Sequence, residues 1–316
     1  MKQTYSIEQS INYCKLITKN HYENFTVASR LLPRRYRNAF YVIYAFCRWS
    51  DDLGDETESP EKALKLLNDW EKQLEEMFRR IETPKMPHSG FKKRIINRPE
   101  NDRQFLDDKA FKKPEMESSQ QLFHPILIAL ESIVRQFELP RQPFFDLLVA
   151  FRSDQQKQTF RSLTELEQYC RFSANPVGRI LLFLILKTPT ESQLQYSDHI
   201  CTALQWTNFW QDVRRDREKM RDYLPCDIQQ QYNSFQDQIK MLVKRTKEEF
   251  ECGRPLLKTL NGRFRFEISL FLEGGMAVLE KIEKIKYQTD KMRPILNRND
   301  KIRIFLRCLK NWIFNR

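Results

Sequence analysis

Apolar side chains recur every three or four positions along most of this chain, which is the period of α-helices with one buried face. Ile7, Ile11, Cys14, Leu16 and Ile17 predict an amphipathic helix over 7–20, interrupted at 21–25. Pro33 has the fixed φ that suits a first turn, and Tyr36, Phe40, Ile43, Tyr44 and Cys47 carry a second helix to about Gly54. Ser59, Pro60 and Glu61 read as a cap and first turn. They open a third helix on Leu64, Leu67, Trp70, Leu74, Met77 and Phe78 that stops before Pro84. Helical spacing returns over 125–137, 143–152 and 163–172, and Pro176 and Gly178 then predict a break or kink. Residues 179–186 form a buried apolar run, and 198–215, 228–250 and 264–287 predict further helices. No stretch alternates with period two, so the expected fold class is all-α, in a single domain.

Two segments differ in kind. Residues 83–119 hold four prolines and nine Lys/Arg against six Asp/Glu with no sustained period, which predicts a basic surface loop or disordered insertion. A nucleic-acid arm would need more interleaved aromatics than Phe91, Phe105 and Phe111, so no nucleic-acid partner is expected. The last residues, 301–316, carry five basic side chains and no acidic one. Ile302, Phe305, Leu306, Leu309, Trp312 and Ile313 share a face flanked by Arg303, Arg307 and Lys310, a pattern that suits either an interfacial membrane helix or a helix packed on the core.

Composition narrows the picture further. Seven glycines in 316 residues imply few turns and long helices. Seven cysteines with no CxxC pair, together with four scattered histidines, argue for reduced thiols and against a zinc site. Neither a signal peptide in residues 1–20 nor an apolar run of membrane-spanning length is evident. The expected location is therefore cytoplasmic, with the inner membrane face as a peripheral station. A net charge of +12 points to an anionic partner.

The candidate chemistry lies in two acidic clusters. In QWTNFWQDVRRD, residues 205–216, helical spacing puts Gln205, Asn208, Asp212 and Asp216 on one face. In RWSDDLGDE, residues 48–56, Asp51 and Asp55 again stand four apart. Either stripe alone could be a solvated helix face. Both, however, sit among large apolar residues, and an all-oxygen donor set with two carboxylates suits magnesium and phosphate oxygens. Facing each other, the stripes would clamp a magnesium diphosphate. Arg48, Arg215 and Arg221 are candidates for its oxygens, and Phe25, Tyr44, Trp206 or Phe209 for the walls around a carbocation.

These pieces, in this order, resemble the squalene/phytoene synthase family. The resemblance rests on HYENF (His21 to Phe25), RWSDDLGDE, Asp154 upstream of YCRFSANPVG (Tyr169 to Gly178), and QWTNFWQDVRRDREKMRDYLP. It covers nearly all of the chain outside 83–119. The resemblance implies an isoprenoid-synthase-type helical bundle with a central cavity, and magnesium held by Asp51, Asp55, Asn208, Asp212 and Asp216. It also implies substrate contacts from His21, Arg48, Gln205, Arg221 and Tyr223, with Tyr169, Val177 and Gly178 lining the cavity and Phe25 and Tyr44 serving the reaction. HYENF, TVASRLLPRR, FRSDQQKQTF and SANPVGR look most like the hydroxysqualene synthase branch. That branch acts on presqualene diphosphate by ionisation, rearrangement and capture by water, beside other enzymes of squalene synthesis and without NADPH. Synthases that join two farnesyl or geranylgeranyl diphosphates, and a non-catalytic membrane-associated scaffold, are the competing readings. Arg214 and Arg215 stand where many family members have small or acidic residues.

Overall fold

Helix signals in the sequence translate into thirteen described helices whose two main cores meet along one shared element. The computed structural model describes residues 5–20, 32–83, 123–156 and 159–314. His21 and Phe25 lie outside these residues, as does the expected 83–119 insertion apart from Thr83. In chain order the helices are α1 (Ile7–Asn20), α2 (Arg34–Asp55), α3 (Pro60–Glu82), α4 (Pro125–Phe137), α5 (Gln142–Ser153), α6 (Leu163–Ser173) and α7 (Asn175–Leu186). There follow α8 (Glu191–Glu218), α9 (Cys226–Gln231), α10 (Phe235–Gly253), α11 (Leu256–Thr259), α12 (Gly262–Lys284) and α13 (Arg298–Phe314). Among the described residues the only extended pairing is an isolated bridge between Thr159 and Asp222.

The first core gathers α1 to α5 around Phe46, Leu67, Leu74 and Leu127, and the second gathers α6 to α12 around Trp206, Trp210 and Phe250. Helix α7 serves both: Ile180, Leu181 and Leu184 face the first core and Leu182 the second. Burial on two sides explains why 179–186 is almost continuously apolar. At roughly 1.5–3 kcal/mol for each large side chain fully removed from water, such layers dominate the folding energy.

Two buried indoles fix the helices that carry the acidic clusters. Trp70 Nε1 donates to Ser50 Oγ at 2.9 Å, and that hydroxyl donates to the Phe46 carbonyl at 2.8 Å, joining α3 to α2 one residue before Asp51. Likewise Trp210 Nε1 donates to Thr246 Oγ1 at 2.8 Å, and Thr246 donates to the Leu242 carbonyl at 2.7 Å, joining α8 to α10 two residues before Asp212. Because a buried indole N–H left unpaired costs about 1–3 kcal/mol, each relay specifies one rotation of its acidic helix.

Several sequence expectations need correction. The 198–215 helix begins earlier, at Glu191, behind a capping box in which Thr190 and Gln193 bond each other's backbone N–H. The single helix expected over 228–250 is two, because Ser234 caps a new start by accepting from the Asp237 N–H at 3.1 Å. The expected break near Pro176 is real, with α6 and α7 meeting at 41°. Among the described residues no single helix is long and apolar enough to cross a membrane, although that bent pair passes the same test together.

Gly178 marks where α7 and α8 touch. A Cβ there would lie 2.5 Å from both Ser197 Oγ and Cys201 Sγ. Gly178→Ala is expected to cost about 1–3 kcal/mol through overpacking, measured as a lower midpoint in thermal or denaturant unfolding.

The terminal helix divides its apolar residues between two faces. Ile304 and Cys308 are buried against Phe266 and Ala277 of α12, with Leu309 and Trp312 beside them. Trp312 Nε1 also donates to the Gly262 carbonyl at 2.9 Å. Ile302, Leu306 and Ile313 face outward and are about half exposed. The core-packing alternative therefore holds for one face, which takes in Leu309 and Trp312 together with Ile304 and Cys308 that the sequence reading missed, while Ile302, Leu306 and Ile313 leave an apolar outer ridge.

Candidate active site

Both acidic clusters sit in the last turns of their helices, α2 for Asp51, Asp52 and Asp55, and α8 for Asp212 and Asp216. A helix C-terminus carries partial negative charge and favours cations, so carboxylates there add to an existing excess. Burial, and after it neighbouring charge, raises the pKa of Asp51 and Asp216. Burial and then the charge of Asp55 push Asp51 up to about 6 against the opposing pull of Arg48. Burial and then Asp212 push Asp216 up to about 6, opposed by Arg221, Lys219 and Arg215.

Chain reversal after α8 brings in the cation that bridges the two helices. Met220 adopts a left-handed φ of 59°, the Met220 N–H donates to the Arg217 carbonyl, and the Arg221 N–H donates to the Asp216 carbonyl at 2.9 Å. This is the Schellman pattern of helix ends, with methionine in the place glycine usually takes. It folds Arg221 back to the stripe, where Nη1 and Nη2 donate to the two Asp55 oxygens at 3.2 and 2.5 Å. Asp55 belongs to α2, so one fork-shaped ion pair joins the ends of the two acidic helices across 166 residues of sequence. The Arg221 guanidinium is stabilised as a cation above its ordinary value, first by that bond.

Asp154, just past α5, completes the group. The Tyr169 hydroxyl donates to it, and burial pushes Asp154 up to about 6 although that bond and Arg221 both pull the other way. Burial also raises Tyr169 and Tyr223, the second with added contributions from Asp154, Asp216 and Asp55. The Tyr223 ring stacks on Phe209 of α8 with centroids 3.9 Å apart and planes 9° apart, and Phe160 and Tyr169 extend this aromatic wall. The wall is tied down where the Cys226 N–H donates to the Phe160 carbonyl at 2.9 Å.

The remaining expected residues are placed as follows. Arg48 pairs mainly with Asp52, Nη2 to Oδ1 at 2.6 Å, and more loosely with Asp51 at 3.6 Å. Tyr44 lies one helical turn before Arg48 and adds to the field that keeps that guanidinium charged. Gln205 and Asn208 share the α8 face with Asp212 and Asp216, the first half-buried and the second exposed. Val177 packs against the first core, and Gly178 sits in the α7–α8 contact described above. Trp206 is sealed in the second core at 2% exposure, so its ring is packed rather than open. Of the two unusual arginines, Arg214 pairs with Glu218 at 3.1 Å, and Arg215 is 3.9 Å from Asp212. Together with Arg293 they line a cleft of about 260 Å³ beside Asp212.

Sequence reading missed Asp52 as the main partner of Arg48, and missed Arg293 altogether. From the connector before α13, Arg293 grips both oxygens of Asp212, through Nε and, at 3.1 Å, through Nη2.

Among the described residues no three His, Cys, Asp or Glu side chains converge into a closed metal cage. The donor set nonetheless fits a hard cation that takes one or two carboxylates from each stripe and the rest of its oxygens from a phosphate ligand, as magnesium commonly does. Like charges held together, partly desolvated and set at helix C-termini are the feature that such a cation would relieve.

Comparison with known proteins gives the same family as the motifs. The squalene/phytoene synthase family model matches residues 18–300, and the chain belongs to that family. It is 29% identical to squalene synthase HpnC from Alicyclobacillus acidocaldarius, covering 89% of this chain and 95% of that one with a TM-score of 0.72. A dehydrosqualene synthase solved with a ligand shares the fold, at TM-score 0.75 and 20% identity over 98% of each chain. Among curated proteins, the phytoene synthase of Arthrospira platensis is 23% identical over 90% of this chain and 87% of its own. The all-α, isoprenoid-synthase-type fold expected from the sequence is therefore the fold of this chain.

Proposed function

We propose that this chain ionises presqualene diphosphate and directs the resulting cation to a hydroxylated C30 product, hydroxysqualene. The observation that carries the reading is the Asp55–Arg221 pair, which joins the ends of the two carboxylate-bearing helices beside an aromatic wall. Asp51, Asp55, Asn208, Asp212 and Asp216 would hold magnesium, which when bound supplies the positive charge that makes diphosphate a leaving group. Arg48, Arg221 and the Tyr223 hydroxyl would bind diphosphate oxygens by charge-assisted hydrogen bonds. Phe209 and Phe160 would back the wall that excludes water from the departing group, and the partly exposed Tyr223 and Tyr169 would present ring faces that attract a carbocation. The likeness to a protein named squalene synthase supports a C30 substrate. The product assignment draws on the HYENF, FRSDQQKQTF and SANPVGR resemblance, and no NADPH is required by it.

A second reading, condensation of two prenyl diphosphates, is favoured by the phytoene synthases among the relatives. Presqualene diphosphate given to the protein with magnesium in oxygen-18 water separates the two. The proposed function predicts a labelled C30 alcohol without NADPH; an unlabelled product, or one that forms only with NADPH, rejects it.

So apolar a substrate comes from a bilayer, and the outer face of α13 suits an anionic membrane surface. Ile302, Leu306 and Ile313 form its apolar ridge, with Arg303 and Lys310 beside them. The same charges disfavour self-association through this face. Ile302→Glu with Leu306→Glu is expected to weaken binding to phosphatidylserine-containing vesicles by about tenfold or more while leaving the unfolding midpoint nearly unchanged. Unchanged vesicle binding would remove this face from the account.

A further inference from the structure

Arg293 and Asp212 are 81 residues apart in sequence, yet the guanidinium covers both carboxylate oxygens of a residue in the stripe. Its connector is pinned at the same place, where Gln211 Nε2 donates to the Pro294 carbonyl at 2.6 Å. On the opposite stripe Arg221 covers both oxygens of Asp55. Each acidic helix thus has one carboxylate already neutralised by an arginine fork and another, Asp51 or Asp216, that is not gripped in this way.

The two arginines differ in what holds them. Arg221 is fastened by the backbone turn at Met220, within a few residues of α8. Arg293 lies in the non-helical link between α12 and α13, which passes through left-handed Lys286 and Tyr287 and exposes Met292 and Ile295 on either side. A bidentate fork takes one lone pair on each oxygen and sets a positive charge beside the carboxylate, so guanidinium and metal cation compete for it. Metal binding at Asp212 is therefore strengthened when Arg293 lets go, and an arginine released beside a diphosphate has a better anion to take.

We propose that Arg293 is an exchangeable counter-ion: it holds Asp212 in the metal-free chain and passes to a diphosphate oxygen when metal and diphosphate enter together. The proposal rests on the two-stripe diphosphate reading and deepens it by making the order of loading a property of one residue. With Arg293 on Asp212, metal alone meets a cation already in place and binds the weaker for it. With diphosphate present the displaced guanidinium is re-paired, so each ligand strengthens the other, reciprocally.

The test is binding, not turnover. Affinities for manganese, standing in for magnesium, are measured on the full chain with and without inorganic pyrophosphate, by calorimetry or manganese spin resonance. Wild type is expected to bind metal weakly alone and about tenfold or more tightly with pyrophosphate, the usual size of a coupling between sites. Arg293→Gln is expected to bind metal alone several-fold more tightly and to lose most of the coupling, and Arg293→Lys to restore part of it, since lysine keeps the charge without the fork. An unchanged unfolding midpoint in Arg293→Gln identifies the effect as local. If wild type shows the coupling and Arg293→Gln keeps both the metal-alone affinity and the coupling, Arg293 is not the exchanged ion and the proposal fails alone. If wild type binds neither metal nor pyrophosphate, the two-stripe reading fails and takes this proposal with it.

Discussion

Asp51→Asn is expected to abolish most turnover while making the protein more stable. The loss follows from chemistry: a neutral amide is a poor ligand for a hard cation, and several kcal/mol of leaving-group stabilisation correspond to a fall on the order of 100-fold or more. Asp212→Asn should lose activity to a similar degree. The gain follows from electrostatics. Burial and Asp55 hold the Asp51 carboxyl up near 6, above its value in an unfolded chain. A group whose pKa is raised by folding stabilises most when protonated, so its contribution is fully present below about pH 4 and is lost as pH rises through about 6. The neutral asparagine mimics the protonated state. The Asp51 side chain is 39% exposed and screened by water, which limits the gain at pH 8 to about 1 kcal/mol, or about 2–4 °C. That gain should vanish below about pH 4, where wild-type Asp51 is itself protonated. A variant that melts earlier than wild type at pH 8 would contradict the crowding of carboxylates at the end of α2.

Arg221→Gln is expected to lose activity too, but with stability moving the other way. Its guanidinium donates two bonds to Asp55 and offsets the charges of Asp154 and Asp216. Without it Asp55 keeps its charge and loses its partner, which costs about 1–3 kcal/mol when the group is partly buried. The diphosphate loses a fork-shaped donor as well, and charge-assisted bonds of about 1.5–3 kcal/mol translate to roughly 10- to 100-fold in kcat/KM. Lysine keeps the charge but not the geometry, so Arg221→Lys should recover stability more fully than activity. Steady-state kinetics and thermal unfolding on the same three proteins check both parts. Stability changes of opposite sign in Asp51→Asn and Arg221→Gln are what a compressed ion cluster predicts and an independent set of surface charges does not.

Much of this was legible in the sequence because the local code is dense. The 3–4–4 spacing of Gln205, Asn208, Asp212 and Asp216 is the geometry of one helix face, and α8 presents it. What was missed has local causes too. Residues 191–197 are mostly polar, so hydrophobic period placed the start of α8 too late, although Thr190 and Gln193 already spelled a capping box. Ser234 with Asp237 three residues on was likewise the sign that splits 228–250. In α13 the exposed and docked apolar residues alternate on adjacent faces, and only the position of α12 distinguishes them. Arg293 left no trace, since an ion pair spanning 81 residues has no periodicity to detect. The choice of Asp52 over Asp51 by Arg48 lay beyond sequence as well, because i,i+3 and i,i+4 partners were both available.

The central claim is that two facing carboxylate stripes make a prenyl diphosphate leave. Its most direct test is release of inorganic pyrophosphate by the purified chain from presqualene diphosphate, with and without magnesium, with the lipid product identified. The account predicts magnesium-dependent release coupled to a C30 product, and loss of both in Asp51→Asn. Failure to release pyrophosphate from presqualene diphosphate or from farnesyl diphosphate, at any magnesium concentration, would contradict it.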